Sequence, residues 1–141
     1  MSQPIRIAIS GRGLAGATLL YALFPHTHLD VHIFESAPAF KEAGASVGMT
    51  HNAQAALELI SHSAIECLQR AGAVPQQGVQ ALMGQGAGRG SLGCFIGSHG
   101  EDGTRVTTSV HRAAFLRELL AGVPADRMHG SNVWITMTTG L

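Results

Sequence analysis

The stretch from Ile5 to Glu35 constrains the fold more than any other part of the chain. It opens on a short apolar run, Ile5-Arg6-Ile7-Ala8-Ile9, and passes through the turn GRGLAG, Gly11 to Gly16. An apolar, helix-compatible run follows, and Val31-His32-Ile33-Phe34 closes the stretch with an acid, Glu35, immediately after it. A strand, a glycine turn, a helix and a second strand in this order form a βαβ unit. Strands joined through a crossover helix run parallel, so the pattern predicts an α/β fold.

Each part of the unit has a physical task. Gly11 lets the chain turn sharply out of the first strand, Gly13 carries no side chain to keep a pyrophosphate from the backbone, and Gly16 lets the helix pack closely on the sheet. The helix begins near Leu14, so the amides of Leu14, Ala15 and Gly16 lie in its first turn, where roughly half a positive charge collects. Glu35 lies 19 residues beyond Gly16, the distance at which a carboxylate takes hydrogen bonds from an adenosine ribose. An acid there repels a 2′-phosphate and favours FAD or NAD over NADP. A bare GxGxxG says little in a chain with 18 glycines; here it follows a strand pattern, opens a helix pattern and has the acid at the right spacing, which is the confirming context of a Rossmann-like dinucleotide site. Leu20 stands where a small residue often follows the third glycine by four, which predicts a slightly wider helix–sheet gap.

Beyond Glu35 the pattern is mixed. Ala53 to Ile60 reads as a helix with Asn52 as a candidate cap, and Ser63 to Ala71 as another, closed by Gly72 with Pro75 beyond. His111 to Ala121 reads as a third, ended by Gly122-Val123-Pro124. Nine of the glycines fall between Pro75 and Gly103, which argues for short strands: Val79 to Met83, Leu92 to Ile96 and Thr104 to Val110. The run GQGAGRG (Gly84 to Gly90) lacks the Lys-Ser/Thr pair of a P-loop and reads as a connection. Asp102-Gly103 reads as a hairpin turn and Val133 to Thr138 as strand-prone.

Two segments carry a more specific likeness. Glu35-Ser36-Ala37-Pro38-Ala39-Phe40-Lys41-Glu42-Ala43-Gly44-Ala45-Ser46-Val47-Gly48, with Asn52-Ala53 after it, resembles the segment following the second strand in FAD-dependent aromatic-ring monooxygenases of the salicylate hydroxylase type. Val110-His111-Arg112-Ala113-Ala114-Phe115-Leu116 is similar to that family's helix start, which bears a flavin-binding arginine. The resemblance implies an enzyme in which NAD(P)H reduces FAD and oxygen then hydroxylates a small aromatic acid or phenol. It implies Gly11, Gly13, Leu14, Ala15 and Gly16 against the pyrophosphate, Glu35 on the ribose, a backbone contact at Ala45, and Arg112 reaching the FAD. A guanidinium suits that last task because its rigid fork of donors stays charged at any working pH.

The family's later flavin motifs, one built on Asp-Gly and one on Gly-Asp, lie beyond what 141 residues hold. The expectation is therefore a partial FAD/NAD(P)-binding domain over residues 1–141, with a glycine-rich β segment at about 75–110 and the C-terminal remainder absent. A non-catalytic dinucleotide-binding module is the alternative reading.

Composition closes off several other classes. Charged residues make up 13% and the formal net charge is zero, which offers no electrostatic footing for nucleic acid or a membrane surface. No run reaches the roughly 18 apolar residues of a membrane span, and cytoplasm is the expected location. Cys67 and Cys94 lack metal-ligand spacing and read as small buried hydrophobes. His26, His28 and His32 do not share a helix face and suggest no metal site. His51 and Ser10 read as a solvated loop residue and a turn residue.

Overall fold

A computed structural model describes residues 3–37, 45–76, 78–97 and 107–131. The first strand β1 (Ile5–Ser10) leads through the glycine turn into helix α1 (Leu14–Leu23), and strand β2 (Leu29–Phe34) returns beside β1. The two strands pair in parallel from Ile5↔Leu29 to Ser10↔Phe34. Strand alternation turns Ile9, Val31 and Ile33 toward α1, where they bury with Leu20 and Val123. The expected βαβ unit is present, with its helix starting at Leu14. Leu20 is fully buried, so the large residue at that position is absorbed into the packing under the helix.

A second, smaller sheet lies beyond. Strand β3 (Ser46–Met49) leads into helices α2 (His51–Ile60) and α3 (His62–Arg70), then the two-residue strand β4 (Val74–Pro75). Strands β5 (Gly78–Leu82) and β6 (Leu92–Gly97) form an antiparallel hairpin. Strand β7 (Thr108–His111) pairs antiparallel with both β3 and β4 and feeds helix α4 (Arg112–Leu120). A 3-10 turn, Ala125–Arg127, leads to strand β8 (Met128–His129), which pairs in parallel with β2. The parallel sheet therefore runs β1-β2-β8.

Helices α1, α3 and α4 share the other core. Phe115, Leu116 and Leu119 of α4 pack with Ala17, Leu57, Ala64, Cys67 and Leu68. Burying a side chain such as Phe115, which is 1% exposed, contributes about 1.5–3 kcal/mol. This packing fixes α4 against α1 and brings the start of one helix to the start of the other.

Several local expectations change. The cap of α2 is Thr50, whose hydroxyl accepts from the Ala53 amide, and Asn52 lies inside the helix. Ser61 alone breaks the chain between α2 and α3 and caps α3, accepting from the Ala64 amide at 3.0 Å. Gly72 closes α3 as expected, in the left-handed region at φ +76°. Cys67 is buried as expected, but Cys94, on β6, is exposed. The Gly84 to Gly90 run connects β5 to β6, with Gly90 donating its amide to the Met83 carbonyl. The Asp102-Gly103 turn, the start of the Thr104 to Val110 strand and the Val133 to Thr138 segment lie outside the described residues.

Candidate dinucleotide site at the glycine turn

The turn is shaped by backbone requirements that only glycine meets. Gly11 sits at φ +91° and donates its amide to the Phe34 carbonyl at 2.8 Å, tying the turn to the end of β2. A Cβ on Gly16 would fall 2.0 Å from the Gly11 carbonyl oxygen and 3.3 Å from Ile9 Cγ2. Helix α1 therefore approaches its own turn as closely as backbone atoms allow. Gly13 is the N-cap residue and offers no side-chain oxygen to the first amides, and no acid lies in the first turn. The amides of Leu14, Ala15 and Gly16 and the positive end of the helix are thus left for an external anion.

Arg112 reaches the same spot from another element. A Cβ built on Gly13 would lie 3.8 Å from Arg112 Nη2, so the guanidinium stands over the space that the missing side chain leaves open. The start of α4 is held there by β7, which pairs with β3, and by the Arg112 amide donating to the Ala45 carbonyl at 3.2 Å. Ala45 and Arg112, 67 positions apart in sequence, become neighbours through that bond.

Glu35 closes the other side. Its Oε2 accepts the Arg12 amide at 2.9 Å, and its Oε1 accepts the Ala37 amide and the Ser36 hydroxyl, each at 3.1 Å. These bonds, the Arg12 amide first, hold the carboxyl below its usual value of 4.5, at about 2. The acid stays ionised at any working pH and is locked to the turn. Its own amide donates to the His129 carbonyl at 2.8 Å, and His129 stacks on Phe34 with ring centroids 4.6 Å apart, so β8 steadies the end of β2.

All eight residues singled out in the sequence (Gly11, Gly13, Leu14, Ala15, Gly16, Glu35, Ala45 and Arg112) lie around this one turn. Sequence reasoning passed over three others. Arg12, with Arg117 and Met128, borders a groove of about 520 Å³ that opens beside the turn along α4. The signal was present in the helical spacing of Ala113, Leu116, Arg117 and Leu120, which all line that groove. A separate cavity of about 260 Å³ lies at the far end of α1, between Tyr21, Phe24 and Ser63. The ten residues of α1 put it about 15 Å from the turn, so it takes no part in this site.

His51 and Ser10 are both exposed, but His51 opens helix α2 instead of lying in a loop, and Ser10 is the last residue of β1 instead of a turn residue. No group of His, Cys, Asp or Glu suited to a metal ion occurs among the described residues. None of the described helices is long and apolar enough to cross a membrane.

Comparison with known proteins agrees with the geometry. No protein-family model matches the chain. The chain is 35% identical over 122 residues to a salicylate hydroxylase of Pseudomonas putida, a match covering 85% of this chain and 26% of that protein. It is 34% identical over 131 residues to 6-methylsalicylate 1-monooxygenase atA of Aspergillus terreus, covering 91% and 29%. Among solved structures, 2-methyl-3-hydroxypyridine-5-carboxylic acid oxygenase superposes with a TM-score of 0.64 at 19% identity, over 92% of this chain and 32% of its own. HpxO of Klebsiella pneumoniae, solved with FAD and uric acid, gives 0.64 at 16% identity, over 90% and 31%. The chain thus spans between a quarter and a third of the length of these proteins. With the glycine turn, the ordered acid and the arginine assembled at one point, the chain belongs to the salicylate hydroxylase-like FAD-dependent monooxygenases and corresponds to part of their length.

Proposed function

We propose that this chain binds the ADP portion of FAD, and that the protein architecture it belongs to hydroxylates small aromatic acids with NAD(P)H and oxygen. The observation carrying the proposal is the convergence at Gly13, where an uncapped helix start and the Arg112 guanidinium face one space that a single Cβ would invade. In this reading the amides of Gly13, Leu14, Ala15 and Gly16 donate to the pyrophosphate, and Gly11 shapes the turn that presents them. Arg112 adds charge-assisted hydrogen bonds, Ala45 contributes backbone beside it, and the ionised Glu35 accepts from the ribose hydroxyls. FAD supplies the redox chemistry when bound; these residues hold and orient it.

A second reading is favoured by the span of the matches. In that reading a stretch matching about a quarter of the length of its curated relatives acts, taken by itself, as a non-catalytic dinucleotide-binding module. Both readings require the same turn. Titrating the chain into FAD and following flavin fluorescence tests it: quenching that saturates in wild type, and that Arg112→Ala weakens by about 10- to 100-fold, supports the site. Equal binding by wild type and Arg112→Ala removes Arg112 from it. Substrate-dependent NAD(P)H oxidation with hydroxylated product separates enzyme from module.

A further inference from the structure

Strand β8 brings only Met128 and His129 to its pairing with β2, fewer residues than strands usually have. The side chains around it supply further contacts. Val31 and Ile33 bury with Leu20 of α1, so strand alternation sets Asp30, His32 and Phe34 on the opposite face of β2. All three are met from the segment that carries β8. Arg127, which ends the 3-10 turn, bonds through Nη1 to Asp30 Oδ1, 97 positions away, and lies 3.0 Å from His32 Nε2. His32 Nδ1 in turn lies 2.9 Å from His129 Nε2, and the His129 ring stacks on Phe34.

The bonds run one way along these contacts. A guanidinium only donates, and the two hydrogens of Nη1 serve Asp30 and His32 together. His32 Nε2 therefore accepts, its proton sits on Nδ1, and that nitrogen donates to His129 Nε2. Asp30 Oδ1 also stands 3.3 Å from His32 Nε2, but Arg127 is its nearer partner. The series ends at the acid of the turn, because the His129 carbonyl accepts the Glu35 amide at 2.8 Å. We infer that Arg127 is a positioning residue for Glu35: acting through His32 and His129, it holds β8 on β2 and so fixes where the Glu35 carboxylate meets a ribose. This inference rests on the dinucleotide reading of the turn and assigns a task to three side chains that reading leaves unused.

Isothermal titration of the full chain with ADP and with 2′,3′-dideoxy-ADP tests it. The two ligands share base and diphosphate and differ in the hydroxyls that Glu35 would take. Wild type is expected to prefer ADP by about tenfold. Arg127→Ala should bring ADP to within about threefold of the dideoxy ligand while leaving the dideoxy ligand within about twofold of its wild-type affinity. His129→Phe keeps a ring to stack on Phe34 and removes the nitrogen; it should lose the same preference, and it carries the test if Arg127→Ala fails to fold. Arg89→Ala in the β5–β6 connection, which removes the same charge elsewhere, should keep the wild-type preference. Nitrogen NMR of wild type at pH 8 should find the His32 proton on Nδ1. Preference for ADP retained in both variants, equal losses for the two ligands, or the His32 proton on Nε2 would overturn the positioning role while leaving the turn intact. Wild-type chain that binds both ligands equally would remove Glu35 from the ribose, and chain that binds neither would overturn the dinucleotide reading; this inference falls with either.

Discussion

Replacing Gly16 by alanine sets two physical effects against each other with opposite signs. Alanine in a helix is favoured over glycine by about 1 kcal/mol, so propensity alone predicts a more stable protein. The structure predicts the reverse. The new Cβ would lie 2.0 Å from the Gly11 carbonyl oxygen, more than 1 Å short of ordinary van der Waals contact, and 3.3 Å from Ile9 Cγ2. Neither the carbonyl nor the helix backbone can swing aside as a flexible side chain would, so α1 must move off β1 and its turn. Overpacking of this kind costs about 1–3 kcal/mol and sometimes more; with a backbone oxygen as the obstacle, the upper end applies. Gly16→Ala should therefore lose about 2 kcal/mol net, a fall of about 1 M in urea midpoint at a typical slope for a chain of this size. Gly84→Ala is the control: nothing lies within 4 Å of its Cβ, and its stability should stay within about 0.5 kcal/mol of wild type. Urea unfolding followed by circular dichroism measures both. A Gly16→Ala chain at least as stable as wild type would refute the close approach of helix and turn.

Other outcomes follow from the same geometry. Because the folded-state pKa of Glu35 is lowered from 4.5 to about 2, its ionised form stabilises the fold above about pH 4.5, and that contribution is lost as pH falls toward 2. Acid titration of stability should show wild type losing its advantage over Glu35→Gln across that window, whereas a constant difference would mean that the turn amides do not hold the carboxylate. Ser61→Ala removes a cap bonded at 3.0 Å and should cost about 1 kcal/mol, more than Thr50→Ala, whose bond is 3.5 Å. Thermal melts that reverse this order would contradict the cap geometry.

The βαβ unit was legible because three signals coincide between Ile5 and Glu35: strand alternation, glycines at fixed offsets and an acid at the strand end. Helix α4 was legible from its apolar spacing and from Gly122. The two-residue strands β4 and β8 were not, since Val74-Pro75 and Met128-His129 are too short to carry a period; β7 and β2 select them in three dimensions. The cap of α2 was misread because Asn52 and Thr50 are both competent caps, and only the backbone decides which residue lies outside the helix. Glu35 could be placed near a ribose by spacing, but its bond to the Arg12 amide depends on how the turn folds back over β2. Arg117 carried a readable signal in its helical stripe, overshadowed by the neighbouring Arg112.

The central claim is that the start of α1 presents free backbone amides to a diphosphate under Arg112. Titrating isotopically labelled chain with ADP and following the backbone amide resonances tests it at the atoms concerned. The account predicts that the largest shifts fall on Gly13, Leu14, Ala15 and Gly16 and vanish in Gly13→Asp, whose carboxylate would occupy the diphosphate's place. Shifts concentrated at the cavity near Tyr21 and Ser63, with these four amides unmoved, would contradict it.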